Sequence, residues 1–471
     1  MLESDVIELS ACEQAMAVRR GEVTSEELTS VYLSRIERYN ASLAAFVATH
    51  RERSLSEART LDRRRAKVKD VATLPPFFGV PTAIKDLHLT RGFPTRMGTR
   101  GWPTTGYLLD DVLSAQVRRA GFVILGKLAT SEVGAMPITE PDLHPPTATP
   151  WNNMHSAGGS SGGSGAAVAA GLVPIAPGSD GAGSIRIPAA FGHLVGIKPA
   201  RGRVPNTFKF DDRRLLYTDG PMARTLNDAA ALLDVLAGVS VGKRHWAPAP
   251  RGSFSEAIHQ KPRKLRIRMS LTHSLGPTDP EIEAAVRGVA ATFARLGHEV
   301  IEAPWIDTSL DEFLPLWQAA IGQAPLLNLD RVQPITRWLG EVGRTLNPAF
   351  VKQRHQELED RILRWFGDAD VWISPAVSVT APRLGLARQP NKTPRELFGE
   401  AAVLGAFTAP FNISGQPALS LPLGLAKTGL PMGIQLGGKP FDEETILSLA
   451  GEFNREHPFD HRRPEAYFSR S

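Results

Sequence analysis

The chain has 471 residues, of which 42% are hydrophobic and 22% charged, with 42 glycines and 37 prolines. This composition is typical of a globular protein and excludes the disordered, collagen-like and disulfide-rich classes. The formal net charge of +5 is spread over the whole length, which is too small an excess to indicate a nucleic-acid-binding surface. At about 150 residues per domain, the length allows two or three domains or one large enzyme fold.

The single cysteine, Cys12, excludes intramolecular disulfides, cysteine-based zinc clusters and iron–sulfur sites. A catalytic role for Cys12 is disfavoured, because residues 10–13 have the pattern of a helix capping box. The first residues lack the basic and apolar segments of a signal peptide. No apolar run approaches the length of about 18 residues that a membrane-spanning helix needs. We therefore expect a cytoplasmic protein that binds neither membranes nor nucleic acid.

The order of the predicted elements indicates an α/β protein. Residues 10–70 are predicted to form helices, because Ser10 and Thr24 each precede a glutamate by three positions. From residue 77 onward, short apolar strands alternate with helices, which is typical of an α/β sheet. The predicted elements are strands at 80–84, 122–125, 172–176, 265–269 and 300–301, helix 280–296, helices within 310–366, strand 371–374, a hairpin of 418–423 and 432–436, and helix 443–454. The absence of repeats and long linkers favours one compact unit.

A glycine- and serine-rich segment at 158–165 leads directly into a predicted apolar helix at 166–172. Its small residues let the backbone approach a ligand, and its serines supply hydroxyls at a helix start. A flexible linker is a weaker interpretation because of the helix that follows, and a phosphate loop would need a lysine that is missing here. The segment also contains the Gly-x-Ser-x-Gly pattern of α/β hydrolases, but a loop precedes it where those enzymes have a strand.

A second small-residue segment follows at 178–188. The backbone N–H groups of Gly181, Ala182, Gly183 and Ser184 could converge on an oxyanion there, because little side-chain bulk blocks the approach. Asp180 and Arg186 flank these residues. We assign this carboxylate and guanidinium a supporting role, as a pair that fixes the turn.

The third candidate element is the strand at 79–86, whose apolar run ends in Lys85. A lysine is usually exposed, but one at the end of a buried strand loses hydration. Desolvation lowers the pKa of such an amine and makes it available as a base. A lysine combined with serines is a known alternative to the Ser-His-Asp triad.

These three segments together resemble the amidase signature family. Further stretches of the chain also match the family pattern, at 121–132, 158–198 and 407–449. The resemblance implies one α/β/α domain around a large mixed sheet, covering 1–471. Within it we expect an N-terminal helical layer at 1–70, a signature core at 75–230 and a helical substrate-pocket region at 310–366.

The resemblance also implies the roles of individual residues. Lys85 corresponds to the catalytic lysine, Ser160 to the bridging serine and Ser184 to the nucleophile, and Ser161 is assigned a supporting role. In this family the peptide bond before the bridging serine is cis, which here is the Gly159–Ser160 bond. Many family members have glycine where this chain has Ala182, a change that keeps the N–H group and is acceptable if φ is negative.

The expected activity is hydrolysis of a small to medium carboxamide through an acyl-enzyme, with carbamates and linear or cyclic oligoamides as further candidate substrates. Met136, Trp317 and Trp338 are candidate substrate-binding residues, and ordinary core packing is the alternative for the two tryptophans. No cofactor or metal is expected, and the sequence leaves open whether the chain forms a homodimer.

Two other functions compete with a stand-alone amidase. The first is the glutaminase subunit of a tRNA-dependent amidotransferase, which would use the same triad. Those subunits commonly carry Thr-Tyr after a Lys-Pro pair, where this chain has Ala200 and Arg201, so the sequence favours the amidase. The second is a catalytically inactive scaffold, which the presence of all three predicted catalytic side chains disfavours.

Overall fold

The computed structural model describes residues 3–103, 108–205, 216–238, 247–459 and 461–468. Its helices are α1 (Glu3–Glu8), α2 (Ala11–Arg20), α3 (Ser25–Leu43), α4 (Arg51–Lys67), α5 (Val112–Arg119), α6 (Gly162–Ala169), α7 (Arg186–Gly192), α8 (Leu226–Leu236), α9 (Phe254–Ala257), α10 (Pro280–Arg295), α11 (Leu310–Gly322), α12 (Pro334–Thr345), α13 (Pro348–Phe366), α14 (Pro394–Ala402), α15 (Ala409–Ile413), α16 (Glu443–Glu456) and α17 (Glu465–Phe468). Within these described ranges, no helix has the length and apolar character needed to cross a membrane.

The strands are β1 (Phe46–Thr49), β2 (Pro81–Lys85), β3 (Val123–Leu128), β4 (Ala148–Thr149), β5 (Asn152–Ser156), β6 (Ile175–Asp180), β7 (Val195–Lys198), β8 (Thr218–Ala223), β9 (Arg266–Met269), β10 (Glu299–Glu302), β11 (Val371–Pro375), β12 (Ala418–Leu425) and β13 (Pro431–Gly438). Eight of them form one sheet in the order β10-β9-β11-β13-β12-β7-β8-β6. The sheet is mixed: β10, β9 and β11 are parallel, and the remaining neighbours are antiparallel. Strands β1, β3 and β2 form a second, three-stranded sheet.

Helices cover the large sheet because its strands are apolar on both faces. Successive residues of a strand point to opposite faces, so Ile175 of β6 packs in one hydrophobic cluster with Leu233 of α8. The next residue, Ala176, packs in another cluster with Val168 of α6. The α/β class with a large mixed sheet and flanking helices is therefore confirmed.

Local sequence signals correctly located the N-terminal helices. The predicted capping boxes are present at Ser10 and Thr24, each with reciprocal side-chain and backbone hydrogen bonds to a glutamate. The prediction of helix throughout 10–70 missed β1, which lies between α3 and α4 in the chain. This strand pairs with β3. Four residues between two helices carry too little periodicity to reveal a strand whose partner lies about eighty residues away.

The glycine- and serine-rich segment is buried and closely packed, which excludes a flexible linker. Helix α6 begins at Gly162, four residues before the predicted start, and ends at Ala169. Its glycines allow the backbone to approach neighbouring chain: a Cβ atom added to Gly163 would lie 2.3 Å from the Ala129 nitrogen and 2.6 Å from the Ala129 oxygen.

We expect Gly163→Ala to lower the free energy of unfolding by about 1 to 3 kcal/mol, because backbone atoms of Ala129 cannot move aside as a side chain would. Gly288→Ala is the matched control, since Gly288 is an exposed residue of α10 with no atom within 4 Å of the added Cβ. In that helix, alanine should raise the free energy of unfolding by about 0.5 to 1 kcal/mol. Equal thermal midpoints for the two variants in scanning calorimetry would show that the backbone contact at Gly163 does not require a glycine.

Candidate active site

Lys85 is the last residue of β2, and its side chain is fully buried. The Nζ atom lies 2.7 Å from the Ser160 hydroxyl, 2.8 Å from the Ser161 hydroxyl and 2.8 Å from the Ser179 hydroxyl. Burial lowers the pKa of Lys85 to about 7, although the charge of Asp219 acts in the opposite direction. A large fraction of this amine is therefore neutral near pH ~7.

The hydrogen bonds around Ser161 fix the orientation of the amine. The Ser161 hydroxyl donates to the Ser179 carbonyl oxygen at 3.1 Å and accepts from the Ser179 N–H at 3.2 Å. Because its own proton is already committed, the Ser161 hydroxyl can only accept from Lys85. One N–H of Lys85 is thus directed to Ser161. The short contact with Ser160 is then available for transfer of a proton from that hydroxyl to the amine.

The Gly159–Ser160 peptide bond is cis, which confirms the expectation from the family resemblance. The backbone at this point is in close contact with Ile138, since a Cβ atom on Gly159 would lie 2.6 Å from the Ile138 carbonyl carbon. The Ser160 side chain is directed to Lys85 on one side and lines a cavity on the other.

Ser184 lies in the turn that connects β6 to α7, and Asp180 organises this turn. The Asp180 carboxylate accepts from the N–H groups of Gly183 at 2.7 Å and Ile185 at 3.2 Å. It also accepts from Arg186 at 2.9 Å through both Nε and one terminal nitrogen, so the ion pair is bidentate. Although burial opposes ionisation, Arg186 holds the pKa of Asp180 well below its usual range.

This geometry changes the predicted oxyanion-binding set. The Gly183 N–H is occupied by Asp180 and is not available to a ligand. In the described parts of the chain, the N–H groups of Gly181, Ala182 and Ser184 form no hydrogen bond. Gly183 is needed for its conformation instead, because its φ is 127° and a Cβ there would lie 2.2 Å from the Thr408 hydroxyl. Ala182 does not adopt a positive φ, so its methyl group is accommodated.

Arg186 also connects the turn to a distant part of the chain. Its guanidinium donates to the Gln435 side-chain oxygen at 2.6 Å, to the Asn412 side-chain oxygen at 2.6 Å and to the Thr408 carbonyl oxygen at 2.9 Å. The Asn412 amide group donates in turn to Asp180 at 2.9 Å. The supporting pair predicted from the sequence is therefore the centre of a buried polar network.

Two cavities meet at Ser184 and Trp317, which line both of them. The larger, of about 1380 Å³, contains Ser160 and Ser179 in its wall. The smaller, of about 80 Å³, is mostly apolar and contains Met136. Met136 and Trp317 thus lie beside Ser184, as expected of substrate-binding candidates. The prediction that Trp338 contacts the substrate is not supported, because Trp338 lines neither of these two cavities.

Trp338 lies on α12 and packs edge-to-face against Phe398, with ring centroids 6.2 Å apart. Phe398 itself lines the smaller cavity. Trp338 therefore supports the cavity wall from behind. For this tryptophan, core packing is the better interpretation.

Sequence reasoning missed Ser179, whose hydroxyl contacts Lys85 as closely as that of Ser161 does. The predicted strand at 172–176 stopped too early, and β6 continues to Asp180. Had the strand been extended through 178–180, Ser179 would have been placed at its carboxyl end, beside the other two serines. Asn412 and Gln435 were missed because only the tertiary fold brings them to Arg186.

The family model for Amidase matches residues 27–447 of the chain. The chain belongs to the amidase signature family. Two similar relatives are the 6-aminohexanoate-cyclic-dimer hydrolases of Pseudomonas sp. (strain NK87) and of Paenarthrobacter ureafaciens. Each is 34% identical over 487 residues, which cover 97% of this chain and 96% of the relative.

A solved structure of 6-aminohexanoate cyclic dimer hydrolase complexed with substrate is similar to this amidase throughout. The TM-score is 0.88 with 31% identity, covering 98% of this chain and 99% of the other. The protein is therefore a hydrolase of the amidase family with the amidase signature fold.

We expect Arg186→Met to lower the free energy of unfolding by about 3 to 5 kcal/mol, because it leaves the Asp180 carboxylate buried without its cation. Arg287→Met is the control, since Arg287 forms an ion pair with Glu302 in which both side chains are half exposed. Calorimetric midpoints test this: the control should stay close to wild type. A similar midpoint for both variants would show that the buried pair does not stabilise the turn.

Proposed function

We propose that this amidase cleaves carboxamides through an acyl-enzyme on Ser184, with Ser160 as proton relay and Lys85 as base. The observation that carries this proposal is the fully buried Lys85 amine, held by serine hydroxyls and with its pKa lowered to about 7. A general base works best when its pKa lies near the working pH, because it is then deprotonated and still basic enough to accept a proton.

In the acylation step, the Ser184 oxygen forms a bond to the amide carbon. Ser184 passes its proton to Ser160, and the Ser160 proton moves to Lys85. Ser160 and Ser184 both line the larger cavity, and the Ser160 hydroxyl contacts Lys85, which supports this order. When the C–N bond breaks, Ser160 returns a proton to the departing amine and recovers one from Lys85. Water then attacks the acyl carbon by the same proton route, which releases the carboxylic acid and restores Ser184.

The negative charge that develops on the carbonyl oxygen needs donors that are already in place. We assign this role to the N–H groups of Gly181, Ala182 and Ser184, which are unoccupied in the described structure. One such donor contributes about 3 to 4 kcal/mol to stabilisation of the transition state. The Asp180–Arg186 pair supports the proposal, because it holds the turn that presents these groups.

We further propose a medium-sized, largely apolar amide as substrate, with cyclic and linear oligoamides as the first compounds to test and carbamates next. The relatives named as 6-aminohexanoate-cyclic-dimer hydrolases support the oligoamides. The larger cavity has room for more than a simple aliphatic amide, and Met136 and Trp317 offer apolar contact beside Ser184.

Ser184→Ala should abolish amine release from a panel of cyclic and linear oligoamides, p-nitroanilides, benzamides, carbamates and glutamine. Lys85→Met should lower kcat/KM by about 10² to 10⁴-fold, because proton transfer from Ser160 then lacks its base. Ser274→Ala, which alters another serine of the smaller cavity wall, is the control and should remain active. Turnover that survives Ser184→Ala would refute the nucleophile, and turnover of glutamine alone would favour the amidotransferase subunit.

The pH dependence follows from the pKa of Lys85 at about 7. Below that pH the amine is protonated and cannot accept the Ser160 proton, whereas above it the neutral form predominates. We therefore expect kcat/KM to rise through a single limb centred near pH ~7 and then to level off. Measurement on one substrate at constant ionic strength tests this. A limb centred near the ordinary lysine value would show that the pKa of the base is not lowered, and the absence of any such limb would exclude Lys85 as the base.

A further inference from the structure

Two carboxylates influence the protonation of Lys85 by their charge, Asp219 and Asp180. The charge of Asp180 is balanced by Arg186, whose nitrogens lie at 2.9 Å from the carboxylate. Asp219 has no arginine or lysine in ion-pair contact within the described ranges. Its partner is His88, whose Nε2 atom lies 3.2 Å from the Asp219 carboxylate.

His88 is held between two carboxylates. Its Nδ1 atom lies 2.8 Å from Asp111, on the side opposite Asp219. Burial disfavours the charged imidazolium, but the two carboxylates outweigh it and raise the pKa of His88 to about 10. His88 therefore carries a positive charge throughout the pH range in which Lys85 titrates.

The fold brings this ion pair next to the lysine. His88 follows Lys85 by three residues, just beyond the end of β2. Asp219 of β8 lies directly opposite Ser179 of β6 in the antiparallel register. Side chains directly opposite in such a pair share one face of the sheet, and the Ser179 hydroxyl contacts the Lys85 amine at 2.8 Å. His88, Asp219 and Ser179 all line the larger cavity.

In the described ranges, the other charged groups near His88, which are Lys127 and Asp111, have partners other than Asp219. Lys127 of β3 lies 3.6 Å from Asp86 and donates to the His88 carbonyl oxygen at 2.5 Å. Asp111 accepts from the Ser114 N–H at 2.9 Å, where it caps α5. In the described part of the molecule, the His88 imidazolium is thus the cation that faces Asp219.

We propose that His88 is a positioning residue that neutralises Asp219 and so allows Lys85 to lose its proton. Without the imidazolium, the Asp219 carboxylate would favour the lysine ammonium and hold the base in its inactive form. This inference rests on the proposed function, because it assumes that Lys85 is the base which activates Ser184.

The two members of the pair should shift the titration of Lys85 in opposite directions. His88→Gln leaves Asp219 uncompensated and should move the acidic limb upward by about one pH unit. Asp219→Asn removes a negative charge that favours the lysine ammonium and should move the limb downward. The double variant removes both charges and should return the limb close to the wild-type position. A loss of packing alone would lower activity at every pH without such a pattern.

Phenylmethylsulfonyl fluoride provides a readout that needs no amide substrate. The Ser184 oxygen forms a bond to sulfur, the S–F bond breaks with release of fluoride, and the serine proton passes through Ser160 to Lys85. The inactivation rate measured between pH ~5.5 and ~9 therefore reports the protonation of Lys85. His259→Gln, at an exposed residue, is the control for replacement of a histidine.

Opposite shifts in the two single variants, cancelling in the double variant, would establish the inference. Unshifted midpoints in both single variants would overturn it, while leaving Lys85 as the base. A wild-type rate without a limb near pH ~7 would instead overturn the proposed function. Each midpoint is the pH at which the rate of one variant reaches half of its own plateau, so a loss of folded protein that is the same at every pH does not alter it.

Discussion

The buried Lys85 amine is held by three serine hydroxyls instead of a carboxylate, and much of the fold serves to bring those hydroxyls to one point. Lys85 belongs to the three-stranded sheet and Ser179 to the eight-stranded sheet, so the two sheets must meet. Thr82 of β2 donates to the Ile175 carbonyl oxygen of β6 at 2.8 Å and fixes that approach. Ser161 comes from the loop before α6, and α6 packs in one hydrophobic cluster with strands of both sheets.

The turn that carries Ser184 is held in place by a buried carboxylate and not by serine hydroxyls. A turn of small residues has few side-chain contacts of its own, and here the Asp180 carboxylate replaces them by accepting backbone N–H groups. A buried carboxylate requires a cation and further donors, which Arg186 and Asn412 supply. Because Gln435 also binds Arg186, the turn is connected to the centre of the large sheet through β13.

The sequence allowed the local features to be predicted and left the long-range ones hidden. Features that depend on residues near one another in the chain have patterns that are visible in the sequence. These features are the capping boxes at Ser10 and Thr24, the hairpin within 418–436 and the small-residue segments. Ser179 and Asp219 could not be recognised in this way. Each gains its place from the pairing of β6 with β8, and neither the full extent of β6 nor the presence of β8 was predicted.

The family resemblance predicted Lys85, Ser160 and Ser184 as the catalytic residues, but it gave no electrostatic account of the lysine. That account needs the positions of surrounding charges, which the resemblance does not carry. His88 and Asp219 were not singled out by any motif, yet they form an ion pair on the wall of the cavity that contains Ser184. The residues that we propose to control the base are thus less visible in the sequence than the proposed base itself.

Burial alone does not make a lysine a base, as the other buried lysines show. Burial lowers the pKa of Lys198 to about 7 as well, but its amine donates to the Pro199 carbonyl oxygen, which has no proton to transfer. Burial also lowers the pKa of Lys127, whose ammonium faces Asp86 at 3.6 Å and is stabilised by that carboxylate. Lys85 combines burial with a hydroxyl at 2.7 Å that itself faces the cavity. The serine beside the amine, more than the lowered pKa, therefore distinguishes the candidate base from its neighbours.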